Sequence, residues 1–282
     1  MKYTGKTFTG ERSLFKSQDI EVNDCEFGFG ESPLKESNNV LINNSSFKWK
    51  YPLWYSKNIE ARNIALTSDA RSGIWYSENI FIKDSVIDAP KTFRRSKLIT
   101  LENVSLNNAT ETMWSCNDIT LKNVQVKGDY FAMNSKNMII DNLTLDGNYF
   151  FDGGENLTIT NSMLNSKDAI WNAKNVTLKN CHIVGEYIGW NSQDITFIDC
   201  VISSHQGFCY MNNVKLINCQ IIDSDLCFEF SSNVDAIITS KMTSIKNPLS
   251  GEIKVKGVDE LILDDKIIDP KNVKIIINDH EI

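Results

Sequence analysis

Asp168 and Glu186 are the first pair to weigh for chemistry. They stand 18 residues apart in a chain whose pattern recurs every 19 to 21 residues. On adjacent turns of such a repeat, offset by one residue, their Cα atoms come roughly 5–6 Å apart, close to the spacing of neighbouring strands. Two carboxyl groups near that separation are what a retaining glycosidase uses, one as nucleophile and one as acid and base. Lys167 and His205 flank the pair and are placed to modulate its protonation. The plainer reading is a solvated turn. Gly128-Asp129-Tyr130, Gly147-Asn148-Tyr149 and Gly185-Glu186-Tyr187 are ordinary turn sequences, and an acidic protein carries charge in its turns anyway.

A second set is aromatic. Five of the six tryptophans recur in one register, read along the chain as Lys35, Trp54, Trp75, Arg94, Trp114, Met133, Asp152, Trp171, Trp190, Cys209 and Glu229. The preceding position is apolar almost throughout (Leu34, Leu53, Ile74, Phe93, Met113), so strand alternation sends the tryptophans outward. Trp54, Trp75, Arg94, Trp114, Trp171 and Trp190 are therefore candidate ligand-binding residues for a saccharide or a protein partner. The competing reading is that these rings only shield the sheet beneath them.

Cys181, Cys200 and Cys219 recur at a step of 19 and share a column with Cys25. Ser45, Ile64, Ser85, Val104 and Ser162 occupy the same column, which marks a small buried slot and reads first as core packing. His182, His205 and His280 share no column and no metal-ligand spacing, so neither a metal site nor a cofactor is expected.

The elements that position all these side chains follow from the repeat itself. Lines such as Asn39-Val40-Leu41-Ile42-Asn43-Asn44 and Asn175-Val176-Thr177-Leu178-Lys179-Asn180 begin at Ile20, Val40, Ile59, Ile80, Ile99, Ile119, Met138, Leu157, Val176, Ile195 and Val214. Val234, Ile253 and Val273 continue the series more weakly. Apolar first and third positions mark a half-buried strand. An Asn or Asp two residues later makes a bend, since these residues tolerate the left-handed region. A third short strand precedes each line, as in Leu53-Trp54-Tyr55-Ser56, and only the connection before it varies in length. The pattern predicts an all-β chain, a right-handed parallel β-helix of about thirteen coils with three short strands each. Asparagines one repeat apart should form a hydrogen-bonded ladder. No break in period marks a boundary, so residues 1–282 read as a single domain. Residues 1–16 form its N-terminal coil or cap, 17–233 its regular coils, and 234–282 less regular coils with a C-terminal cap around Asp264-Asp265-Lys266.

The lines beginning Asn-Val or Asn-Ile resemble those of pectin-lyase-like β-helix proteins. The chain as a whole resembles an uncharacterised bacterial family of such β-helices that carries a domain-of-unknown-function label. That resemblance rests on structural positions and implies the fold. The paired-Asp, Gly-His-Gly and Arg-x-Lys elements of polygalacturonases are not present, nor are the Arg-rich motif and calcium carboxylates of pectate lyases in a matching context.

Composition narrows the function classes. With 29 Lys and Arg against 36 Asp and Glu, the net charge of −7 disfavours a nucleic-acid partner. No apolar run approaches the ~18 residues of a membrane span, so no membrane partner is expected. The segment Met1-Lys2-Tyr3-Thr4-Gly5-Lys6-Thr7 lacks the apolar core of a secretion signal, and seven cysteines, an odd number, suit reduced thiols; both point to a cytoplasmic protein. The leading expectation is a β-helix that binds a saccharide or protein along its Trp-rich face. The alternatives are a glycoside hydrolase or polysaccharide lyase using Asp168 and Glu186, and a structural solenoid that assembles with itself. Oligomeric state is not legible at this level.

Overall fold

The computed structural model describes residues 1–281, which are almost wholly strands and turns. It divides into two compact units, Met1–Thr144 and Leu145–Ile282. Each winds as a right-handed parallel β-helix, and the chain makes about 15 turns. Residues 1–16 contribute one of these, because Lys2–Thr4 pairs in parallel with Glu21–Asn23 and Thr7–Phe8 with Glu26–Phe27.

The inferred register holds through most of the chain. In the first unit Val40 lies against Ile59, Ile59 against Ile80, Ile80 against Ile99 and Ile99 against Ile119. In the second, Leu157, Val176, Ile195, Val214 and Val234 follow one another in the same way. All of these side chains are buried. Inward rows stack on themselves, as in Phe8–Phe27–Phe47, with ring centroids 4.9 and 4.6 Å apart.

Near the C-terminus the register departs from expectation. Val234 is opposite Gly251, while Ile253 is opposite Ala236 and Ile275. A slip of two residues leaves every side chain on its original face, so apolar alternation does not detect it. Gly251 carries the missing signal: at φ +121° its absent Cβ would lie 2.0 Å from the Val234 carbonyl oxygen, where only glycine fits. The end is closed by a 3-10 turn, Pro270–Asn272, and by His280–Glu281, which returns antiparallel on Ile276 and Ile277.

The corners explain the asparagines. The Asn or Asp before each line and the one after it both adopt positive φ, as at Asn39, Asn44, Asn58 and Asn63, or Asn175 and Asn180. Along the second of these columns each amide donates to the preceding turn: Asn44 to Asp24 (3.1 Å), Asn63 to Asn44 (2.8 Å), Asn103 to Asp84 (2.8 Å), Asn123 to Asn103 (3.0 Å) and Asn142 to Asn123 (2.9 Å). An interior serine column adds a second ladder. Ser56, Ser77 and Ser96 each donate to a carbonyl of the preceding coil, and the Oγ atoms of Ser77 and Ser96 accept the backbone N–H of Ser56 and Ser77.

The third segment of each coil is the least strand-like. It forms a regular ladder between Ile74–Trp75 and Phe93–Arg94, extended by an Arg94–Trp114 bridge. The residue that follows it is left-handed: Tyr55, Tyr76, Arg95, Ser115, Asn172, Asn191 and Tyr210 all have positive φ. That corner turns the residue after each tryptophan outward.

Candidate functional site

In the first unit the tryptophan register becomes a physical stack. Trp54 and Trp75 lie 5.2 Å apart with planes inclined by 9°. The Arg94 guanidinium carbon sits 4.7 Å from both the Trp75 and the Trp114 ring centroids, so it is sandwiched between them. Tyr51 covers Trp54 at 4.5 Å. Each indole N–H is tied to a backbone carbonyl of the next variable turn: Trp54 to Ser72 (2.5 Å), Trp75 to Lys91 (2.7 Å) and Trp114 to Tyr130 (2.6 Å). These rings are half-buried. Their faces are spent on one another and their N–H groups on the backbone, so a ligand reaches ring edges.

Two tyrosines that the sequence reading passed over stand in front of this stack. Tyr55 and Tyr76 lie 4.9 Å apart with planes inclined by 9°, and they are 46% and 38% exposed. Each meets its neighbouring tryptophan edge to face, at 6.5 and 6.3 Å. The signal was available, since each tyrosine directly follows a tryptophan of the column; missing was the left-handed corner that presents it.

The surroundings are basic. Lys35 Nζ lies 5.7 Å from the Tyr55 ring, and Arg95 takes the next place in the tyrosine column. Glu78 is shared between Lys57 (3.8 Å) and Lys97 (3.2 Å), and Glu111 between Lys91 (3.0 Å) and Arg94 (3.4 Å). One carboxylate serving two cations leaves net positive charge on this face.

In the second unit the two sets of candidates meet. Trp171 and Trp190 are also half-buried, 6.2 Å apart at 32°, and Trp190 continues to Tyr210 at 4.8 Å. The Trp171 indole donates to the Tyr187 carbonyl at 2.8 Å, and the Tyr187 ring lies 5.5 Å from Trp190 and 5.8 Å from His205. Beside this aromatic group runs a row of ionisable residues. Asp168 pairs in register with Glu186, Glu186 with His205, and His205 bridges to Asp225. Lys167 Nζ is 3.6 Å from Glu186, and His205 Nδ1 is 2.8 Å from an Asp225 carboxylate oxygen.

The expected adjacency of Asp168 and Glu186 is therefore present, but their exposures differ. Asp168 ends a strand whose alternate residues point inward, and it is 2% exposed; Glu186 faces solvent. Burial raises the Asp168 pKa above the usual carboxylate range. Lys167 and a hydrogen bond from Tyr149 oppose the rise, and the Glu186 charge adds to it. A register shift between Asn165 and Asp168 produces the offset, and Gly185 permits it: a Cβ there would lie 1.7 Å from the Ser166 carbonyl oxygen.

Shallow grooves lie elsewhere, over the asparagine corners. One is lined by residues including Met163, Cys181 and His182, and its counterpart in the first unit by Ser45, Ile64 and Val86. All seven cysteines are reduced and buried. Among the described residues no group of three or more His, Cys, Asp and Glu converges to hold a metal ion, and no helix is long and apolar enough to cross a membrane.

A family model described as a protein of unknown function, DUF3737, matches residues 1–276. The chain belongs to the DUF3737 family. Comparison with curated proteins gives no significant match. Among solved structures, the chain is similar to the surface protein and adhesin PfbA of Streptococcus pneumoniae. One PfbA structure shows 14% identity over 72% of this chain and 74% of that one, with a TM-score of 0.39; another shows 10% over 98% and 82%, with 0.41. The A-module of the mannuronan C-5 epimerase AlgE4 of Azotobacter vinelandii is similar at 10% identity over 94% and 85%, with a TM-score of 0.37.

Proposed function

We propose that this chain is a binding protein for an extended anionic saccharide, held along the aromatic and basic face of the first unit. The observation that carries the reading is the stacking itself. Aromatic rings bear negative faces and positive edges. Because Trp54, Trp75, Tyr55 and Tyr76 are stacked face to face, a ligand lying on the column meets positive edges and phenolic hydroxyls. Lys35, Lys57, Arg95 and Lys97 add cations with too few carboxylates to match. That surface supports a hydroxyl-rich, negatively charged chain over a neutral sugar that needs an open ring face. The net charge of −7 over the whole chain, not this face, is what disfavours a nucleic acid as general partner.

A glycan array carrying neutral, carboxylated and sulfated oligosaccharides tests this. The wild-type chain should retain anionic members, and the Tyr55→Ala/Tyr76→Ala double variant should lose affinity by about tenfold or more, the value of one or two modest contacts. Retention of neutral glycans alone, or binding indifferent to the two tyrosines, would contradict it. An array with no binder at all would move the reading to a protein partner with an acidic segment.

A second reading, hydrolysis or elimination at the second unit, has one observation in its favour: a carboxyl with a raised pKa adjacent to an exposed one. Glu186 and the His205–Asp225 pair are the accessible groups there, and Asp168 acts on them from beneath. Under this reading Glu186→Gln abolishes turnover of an oligosaccharide that the wild type cleaves. No cleavage by wild type across a broad panel counts against it.

A further inference from the structure

Cys181, Cys200 and Cys219 are buried free thiols, and nothing in the binding face or the ionisable row uses them. They share with Cys25, Ser45, Ser85 and Ser162 of the same column a side chain that donates to the carbonyl two residues earlier, but here three thiols follow one another on consecutive coils. Backbone bonds place them directly over one another, Val201 N–H donating to the Cys181 carbonyl and Gln220 N–H to that of Cys200, both at 2.9 Å. All three side chains take the same orientation. Each thiol donates to the carbonyl two residues earlier and approaches the one 22 residues earlier: Lys179 and Ile159 for Cys181, Ile198 and Leu178 for Cys200, Ile217 and Phe197 for Cys219. Three sulfurs with one rotamer on three stacked strands form a line at the strand spacing of about 4.8 Å.

That spacing has a chemical meaning. A metal–thiolate bond is about 2.3 Å long, so a cation midway between two such sulfurs is at bonding distance from both without moving either strand. The arrangement is linear and two-coordinate. It cannot supply the four convergent ligands of a structural zinc, in keeping with the absence of any such cluster among the described residues. Soft monovalent d10 cations accept two thiolates, and thiolate ligands select Cu(I). Cys181, itself buried, also borders a surface groove of about 310 Å³ whose lining includes Met163 and His182.

We propose that Cys181, Cys200 and Cys219 form a binding site for soft monovalent cations of the Cu(I) class, with Cys200 as the shared central ligand. Each ion displaces thiol protons: two thiols and one Cu(I) give a singly negative bis-thiolate complex and two released protons, with no change in oxidation state. A second ion between Cys200 and Cys219 would bridge through the same central sulfur and release one proton more.

Anaerobic titration of the full chain with Cu(I) against a chromophoric Cu(I) chelator, following thiolate-to-metal charge-transfer absorption, is the test. Wild type should take up to two ions. Cys181→Ser and Cys219→Ser should each retain one, and Cys200→Ser none. Serine already occupies this column at Ser45, Ser85 and Ser162, so these variants should fold, and circular dichroism checks that they do. Absence of wild-type binding in competition with the chelator, or undiminished binding by folded Cys200→Ser, would overturn the proposal and return the column to packing alone. Equal uptake of Zn(II) at the same cysteines would also overturn it, because a linear site does not serve that ion.

Discussion

Asp168 shows how one side chain changes meaning between sequence and structure. The repeat correctly brings it beside Glu186, yet its carboxyl lies inside the coil, where desolvation raises its pKa. A folded-state pKa above the unfolded value, about 3.9 for aspartate, means that the group favours folding fully below that value and loses this contribution as pH rises through the folded pKa. Above both values the buried charge burdens the folded chain. Asp168→Asn keeps an acceptor for the Tyr149 hydroxyl and removes the charge. The variant should therefore gain stability relative to wild type as pH rises from about 4 to 7 in urea denaturation. A stability difference that stays flat with pH would contradict that burial. Spacing alone predicted the neighbour and not the exposure, because the register shift before Asp168 changes which face its side chain joins.

Strands and corners were the most legible level. The apolar alternation and the recurrent Asn or Asp suffice to derive both the stacked strands and the asparagine ladder, since each follows from a period-2 face and a left-handed corner. The direction of the ladder was not legible, and it adds a rule. Each amide donates toward the preceding turn, so an aspartate, which accepts and does not donate, can only start a run. Asp24 starts one that Asn44 and Asn63 continue, and Asp84 starts another that Asn103, Asn123 and Asn142 continue. Asn63→Asp should thus break a run and set two acceptors together, costing about 0.5–1.5 kcal/mol, whereas Asp84→Asn should join two runs and stabilise by a similar or smaller amount. Thermal or urea unfolding of both variants gives the answer; equal effects of one sign would refute a directional ladder. The C-terminal slip at Gly251 escaped the pattern because it preserves the face of every side chain.

At the level of the whole chain, the net charge of −7 hides an uneven division. Met1–Thr144 carries 18 Lys and Arg against 17 Asp and Glu, and Leu145–Ile282 carries 11 against 19. Nearly all of the acidity belongs to the second unit, so an anionic ligand favours the first, where the stacked aromatics and shared carboxylates lie. Attraction of this kind weakens as salt screens it, the Debye length falling to about 8 Å at physiological ionic strength. The average charge of the whole chain conceals this contrast. Hydroxyl-radical footprinting with and without a carboxylated oligosaccharide shows which unit holds the ligand. Tyr55, Tyr76, Trp54 and Trp75 should be protected, with Tyr187, Trp190 and His205 unchanged; protection confined to the second group, or none on either, would rule out binding along the first unit.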